Sequence, residues 1–129
     1  MSKRREFIGQ VLKGTAAVAA TRFFPASRVL GANDRVRLAL IGAGGRGQEI
    51  FKAAIRCPNT EAVAVADVYT RRLDEVKKFA PQIQTYQDFR RLLDDKSIDA
   101  VLIATPQHQH ALNFVPAIQA GKDVLQEKT

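Results

Sequence analysis

Three short apolar runs constrain this chain more than any other feature. They are Val36 to Ile41, with Arg37 inside it, Glu61 to Ala66, and Ala100 to Ala104. Each is close to continuously apolar rather than alternating, which is how a strand reads when both of its faces are buried in a parallel sheet. Helical patterns lie between them. Gly47 to Arg56 places Ile50, Ala53 and Ala54 on one side, and Pro58-Asn59 breaks it. Arg71 to Ala80 spaces Leu73, Val76, Lys77 and Ala80 by three and four, with Thr70 as the expected N-cap and Pro81 as the stop. Asp88 to Leu93 is short and amphipathic and ends at Asp94-Asp95. His108 to Ala120 fits a helix with a kink or early interruption at Pro116, and Gly121 is a natural C′ residue. Gln82 to Tyr86 and Asp123 to Gln126 complete the pattern as short strands. Such an alternation predicts an α/β fold, a doubly wound parallel sheet with helices on both faces. The expected strand order is 3-2-1-4-5, and right-handed crossovers then gather any ligand along one edge of the sheet.

Charge narrows the function classes. The chain of 129 residues has a net charge of +7, but residues 1–37 alone hold eight Lys or Arg against two acidic residues, a net of +6. The remainder is nearly neutral and has no basic stripe with interleaved aromatics, so nucleic acid is not an expected partner. Cys57 is the only cysteine, which excludes a disulfide within the chain and argues against a thiolate metal site. Just before Pro58, it reads as a small, partly buried apolar residue.

Chemistry concentrates where the first strand ends. Gly42-Ala43-Gly44-Gly45-Arg46-Gly47 matches G-x-G-x-x-G between a strand and a helix, the dinucleotide-binding fingerprint of a Rossmann-type domain. Gly42 permits the tight turn, Gly44 lets backbone approach a pyrophosphate, and Gly47 lets the first helix pack closely. The free N–H groups at that helix start point at phosphates, and Arg46 adds a charge beside them. Asp67 ends the second strand, 20 residues after Gly47. At that spacing its carboxylate reaches the adenosine ribose and repels a 2′-phosphate, which favours NAD over NADP. Arg71 and Arg72 follow closely; either pairs with a 2′-phosphate, stacks on adenine, or simply faces solvent. Thr105-Pro106-Gln107-His108-Gln109-His110 stands at the end of the fourth strand, across the cleft from the glycine turn. Two histidines at i and i+2 do not share a helix face, and no acidic or thiol cluster joins them, so no metal site is expected. By themselves these histidines read as helix-start residues or as catalysts. Glu127-Lys128, at the end of the fifth strand, read by themselves as solvated charges.

The first 34 residues read as an address rather than as part of the domain, which is expected over residues 35–129. A charged start, Lys3-Arg4-Arg5, precedes a modestly apolar stretch from Phe7 to Ala20. That stretch is too short and interrupted for stable membrane insertion. Arg4-Arg5-x-Phe7-Ile8 resembles a twin-arginine signal, which implies the twin-arginine export machinery as partner and a periplasmic destination. An N-terminal arm without targeting function, in a cytoplasmic protein, is the alternative.

Taken together, the glycine turn, Val65-Ala66-Asp67, Thr105-Pro106-x-His108-x-His110 and Ala120-Gly121-Lys122-Asp123-Val124 leading to Glu127-Lys128 resemble the N-terminal domain of the Gfo/Idh/MocA oxidoreductases. The resemblance runs from about Val36 to Thr129. It implies that Lys128 is a catalytic lysine beside the nicotinamide and the reacting carbon. It further implies that Thr105, Pro106, His110 and Glu127 join Gly42, Gly44, Gly45, Arg46, Gly47 and Asp67 in holding NAD(H). The family's motif ends in proline where this chain has Thr129. The implied activity is hydride transfer at a carbinol carbon of a sugar or polyol, or NAD-dependent glycoside hydrolysis with transient oxidation. The family's catalytic histidine and most substrate contacts belong to a C-terminal α+β domain, and the family also implies an oligomer. Since the sequence stops at Thr129, the expectation is a cofactor-binding half that is inactive alone, or a non-catalytic dinucleotide-binding chain.

Overall fold

The computed structural model describes residues 35–128. The expected leader, with Arg4 and Arg5, and Thr129 lie outside them. Five parallel strands form one sheet: β1 (Val36–Ile41), β2 (Thr60–Ala66), β3 (Gln84–Tyr86), β4 (Ala100–Ile103) and β5 (Asp123–Gln126). Their order is β3-β2-β1-β4-β5, as the alternation predicted. Four α-helices connect them: α1 (Gly45–Ile55), α2 (Thr70–Phe79), α3 (Phe89–Asp94) and α4 (His110–Gln119), with a 3-10 turn at Gln107–Gln109 before α4.

The apolar runs are continuous because the sheet has a core on each side. Successive side chains point to opposite faces. Leu38 and Leu40 of β1 therefore meet Phe51 of α1 and Leu73 and Val76 of α2. Ala39 and Ile41 meet the other layer, with Leu92 and Leu93 of α3 and Ala117 of α4. Val65 and Leu102 extend the first core; Ala66, Val101 and Ile103 extend the second. The β1–β2 register slips between Leu38 and Ala39, leaving Val63 without a partner in β1, so Val63 and Ala64 both pack into the second core.

Several local expectations change. Thr70 is the first residue of α2 and not its cap; Tyr69 is the N-cap residue and supplies no side-chain bond. The Asp67 carboxylate instead fixes the residue before the helix, its Oδ1 accepting the Tyr69 N–H at 2.9 Å in an Asx-type turn. The third strand shortens to Gln84–Tyr86, since Pro81 and Gln82 form a turn that carries Ile83 into the first core. Helix α4 starts at His110 and runs through Pro116 to Gln119 without interruption. Proline forgoes one helical bond there. The end of α4 is a Schellman arrangement at Gly121 (φ +74°): Gly121 N–H donates to Ile118 O at 2.9 Å and Lys122 N–H to Ala117 O at 3.1 Å. Cys57, expected partly buried, is exposed, because it falls in the turn after α1 and not on the helix face that packs.

Candidate functional site

One row of backbone hydrogen bonds crosses all five strands at their C-terminal ends. Asp67 N–H donates to Tyr86 O (3.1 Å), Gly42 N–H to Ala66 O (2.9 Å), Ala104 N–H to Ile41 O (2.9 Å) and Glu127 N–H to Ile103 O (2.9 Å). Four segments far apart in sequence thus leave the sheet side by side: the glycine turn, the Asp67 loop, the Thr105 loop and Glu127-Lys128. Ligands of open parallel sheets bind along this edge.

The glycine turn sits at its centre. Gly42 has φ +92°, and a Cβ there would lie 2.8 Å from the backbone C of Ala104 and N of Thr105. Gly47 is buried, and a Cβ there would collide with the Gly42 carbonyl and come within 3.2 Å of the Ala104 Cβ. The close packing expected of Gly47 is therefore between α1, its own turn and β4. Gly44 is the N-cap residue of α1, with no side-chain cap, and no acidic residue occupies the first turn. The N–H groups of the first helical residues, Gly45, Arg46 and Gly47, lack intrahelical partners and make a positive helix end. Gly45 has open space around it. The turn is braced from behind by Gln48, missed in the sequence, whose Nε2 donates to Ala43 O at 2.9 Å and to Glu75 Oε2 at 2.8 Å.

Asp67 is buried at 8% exposure, with both carboxylate oxygens hydrogen-bonded. Oδ2 accepts the Ala43 N–H at 2.8 Å, and Oδ1 accepts the Tyr69 N–H. It locks the glycine turn to the β2–α2 loop. Arg72 stands over it, with Nη1 3.6 Å from Oδ2, and its guanidinium lies 5.0 Å from the Tyr69 ring centroid. Arg71 turns away toward Glu75, at 3.7 Å.

On the opposite side, Thr105 Oγ1 donates to Asn113 Oδ1 at 2.6 Å, and His110 Nε2 lies 2.7 Å from Thr105 O. His110 and Asn113 are both buried, so they hold the Thr105 loop from beneath, while Pro106 and His108 are exposed. Asn113 was legible only through its spacing: His110, Asn113 and Ala117 line one face of α4, which is the buried one. Arg46 reaches across the edge, with Nε 3.7 Å from Glu127 Oε2 and Nη1 3.2 Å from Glu49 Oε2. Lys128 follows Glu127 and is exposed. Among the described residues no group of three His, Cys, Asp or Glu is placed to hold a metal ion, and no helix is long and apolar enough to cross a membrane.

Residues 36–128 match the model of the Gfo/Idh/MocA oxidoreductase family, NAD-binding Rossmann fold. The chain belongs to this family. It is 41% identical over 130 residues to a glycosyl hydrolase family 109 protein of Stenotrophomonas maltophilia, a match covering 92% of this chain and 28% of that protein. It is 26% identical over 95 residues to the scyllo-inositol 2-dehydrogenase (NADP(+)) of Bacillus subtilis, covering 74% of this chain and 26% of that one. The crystal structure of myo-inositol 2-dehydrogenase from Lactobacillus plantarum superimposes with a TM-score of 0.68 at 26% identity, covering 73% of this chain and 28% of that structure. The chain thus spans little more than a quarter of the length of these relatives. What it contains is the NAD-binding Rossmann domain of a Gfo/Idh/MocA oxidoreductase.

The edge fits the dinucleotide of this family. An uncapped helix end offers N–H donors and a positive dipole to a pyrophosphate, and Gly44 has no side chain to obstruct it. One lateral neighbour of that turn is the Asp67–Arg72 pair; the other is the braced Thr105 loop with Glu127-Lys128. An extended ligand with an anionic middle and two polar ends suits that line.

Proposed function

We propose that this chain is the cofactor-binding half of an exported, NAD-dependent sugar or polyol oxidoreductase. The row of hydrogen bonds at the strand ends carries this reading, since it brings the glycine turn, Asp67, Thr105 and Lys128 onto one edge. The names of the inositol dehydrogenase relatives support a polyol substrate. NAD(H) is the preferred cofactor in this reading because the Asp67 carboxylate closes the adenosine end, and a negative charge there disfavours a 2′-phosphate. The family alone does not decide the cofactor, as one relative is named for NADP(+).

When bound, the nicotinamide supplies the hydride acceptor and donor. The chain's own residues bind and orient. The N–H groups of Gly45 to Gly47 hold the pyrophosphate, Asp67 receives the ribose hydroxyls, and Thr105, Pro106, His110 and Glu127 shape the nicotinamide end. The Lys128 ammonium positions the substrate oxygen and stabilises negative charge developing on it. A second reading is favoured by the 41% identity to a glycosyl hydrolase family 109 protein: the same half serving redox-neutral glycoside cleavage.

Calorimetric titration of the full chain with NAD+ and NADH, paired with an assay of polyol-dependent NAD+ reduction, tests the proposal. Binding without turnover is expected for the chain alone, and so is turnover once a C-terminal domain is supplied. Absence of binding to either redox form would sink both readings. Export is tested by a reporter fusion that stays inside when Arg4 and Arg5 both become Lys; continued translocation would count against the twin-arginine route.

A further inference from the structure

We infer that Gln48 is a positioning residue for the phosphate-binding turn. It holds the Ala43–Gly44 peptide so that the Gly44 N–H, and not the Ala43 carbonyl, is offered to a pyrophosphate. The inference rests on the dinucleotide reading above and adds a further donor to the N–H groups of Gly45 to Gly47.

Both backbone polar groups of Ala43 are engaged. Its N–H donates to Asp67 Oδ2 at 2.8 Å, and its carbonyl accepts from Gln48 Nε2 at 2.9 Å. The same amide nitrogen donates to Glu75 Oε2 at 2.8 Å, so both N–H groups of the Gln48 side chain are used. Glu75 lies on α2 and also pairs with Arg71, Nε to Oε1 at 3.7 Å. Gln48, on α1, is thus tied to α2 as well as to the turn. An amide oxygen in place of that nitrogen would face two acceptors.

The Ala43–Gly44 peptide is trans and planar, so its C=O and N–H point in opposite directions. With the carbonyl drawn to Gln48, the Gly44 N–H points away from Gln48. Among the described residues nothing accepts a hydrogen bond from that N–H. A free backbone donor beside an uncapped helix start suits an anion. Glycine at 44 also makes this arrangement easy to lose. Turning the peptide over moves the φ of Gly44 by about 180° from its −70°, into the left-handed region that glycine adopts without strain. The turned peptide would present a carbonyl oxygen to the pyrophosphate. Gly44 therefore leaves the direction of its own N–H open, and Gln48 sets it.

The test uses the full chain as wild type, Gln48→Met and Gln48→Lys. Methionine keeps the length of the side chain and removes both donors; lysine returns donors to Ala43 O and Glu75. NMR of the ligand-free proteins reads the amide–α-proton couplings of Gly44, which report its φ. Calorimetry reads the affinity for NAD+ and for ADP, and thermal melts check the fold. Wild type is expected to show the couplings of φ near −70°. Gln48→Met is expected to show couplings averaged over both peptide orientations. It is also expected to bind both ligands about tenfold more weakly, the worth of one charge-assisted hydrogen bond. Gln48→Lys is expected to recover the wild-type couplings and to bind within about threefold of wild type. A purely structural role would lower the melting temperature without moving the Gly44 couplings. The inference is overturned if Gln48→Met keeps those couplings, if it binds NAD+ and ADP as tightly as wild type, or if Gln48→Lys does no better than Gln48→Met. If wild type binds neither ligand, the dinucleotide reading fails and takes this inference with it; binding that persists unchanged in Gln48→Met overturns this inference alone.

Discussion

Gly47→Ala isolates a packing constraint that helix propensity alone predicts in the wrong direction. Gly45 and Gly47 lie in the same first turn of α1, and alanine is favoured over glycine in a helix by up to about 1 kcal/mol. Propensity therefore expects both substitutions to be neutral or stabilising. The surroundings separate them. A Cβ at Gly45 meets nothing within 4 Å, whereas one at Gly47 runs into the Gly42 carbonyl and crowds the Ala104 Cβ at 3.2 Å. Neither obstacle yields easily, since Gly42 and Ala104 both donate into the row of bonds at the strand ends. Overpacking such a site costs about 1–3 kcal/mol. With the upper value and the propensity gain subtracted, Gly47→Ala loses about 2 kcal/mol. For a domain of this size that lowers Tm by about 10 °C. Thermal unfolding followed by circular dichroism is the assay, with Gly45→Ala as the companion expected within about 2 °C of wild type or above it. A Gly47→Ala protein as stable as wild type would refute the argument that α1 is packed against its own turn.

Two other perturbations have signs set by the structure. Lys122→Met keeps the aliphatic stem but removes the Nζ donors that reach Asp95 O at 2.6 Å and Ile98 O at 2.8 Å. Leaving those acceptors unmet costs about 2 kcal/mol or more, and an unchanged urea midpoint would mean that water replaces the ammonium freely. Asp95 is held below the ordinary carboxylate value of 3.8, chiefly by the Ser97 hydroxyl and then by the Ser97 N–H. Asp88 is lowered by the Arg90 N–H and then by its side chain. A depressed folded-state pKa stabilises above the unfolded value and is lost as pH falls through the folded one. Stability is therefore expected to fall below about pH 4, less steeply in Asp95→Asn than in wild type. Equal slopes in urea melts across that range would show that Asp95 does not contribute.

Much of the candidate site was legible because its signals are local. Gly42, Gly44 and Gly47 are read from one strand–turn–helix segment, and the roles expected of Gly42 and Gly47 are steric consequences of that turn. Asp67 was located by counting 20 residues from Gly47, but its double grip on Ala43 N–H and Tyr69 N–H was not visible. Lys122 stood in the sequence only as part of the Ala120-Gly121-Lys122-Asp123-Val124 stretch; it is buried because the Schellman turn aims it under the α3–β4 loop. Arg71 and Arg72 were indistinguishable as neighbours in a chain. One turns to Glu75 and the other to Asp67, because adjacent helical residues point about 100° apart.

The sequence by itself determined the α/β architecture, the strand order and the place of the phosphate-binding turn. Apolar runs, helical spacing and the strand–glycine–helix pattern are signals carried within a few residues. Only the tertiary structure decided which polar groups are buried and which face the cleft. Asp67 meets the turn from 24 residues away, and Lys122 finds Ile98 across the same separation. Those encounters exist only after the sheet has ordered its strands, and so which of two paired charges is exposed, Arg72 rather than Asp67, is a property of the fold.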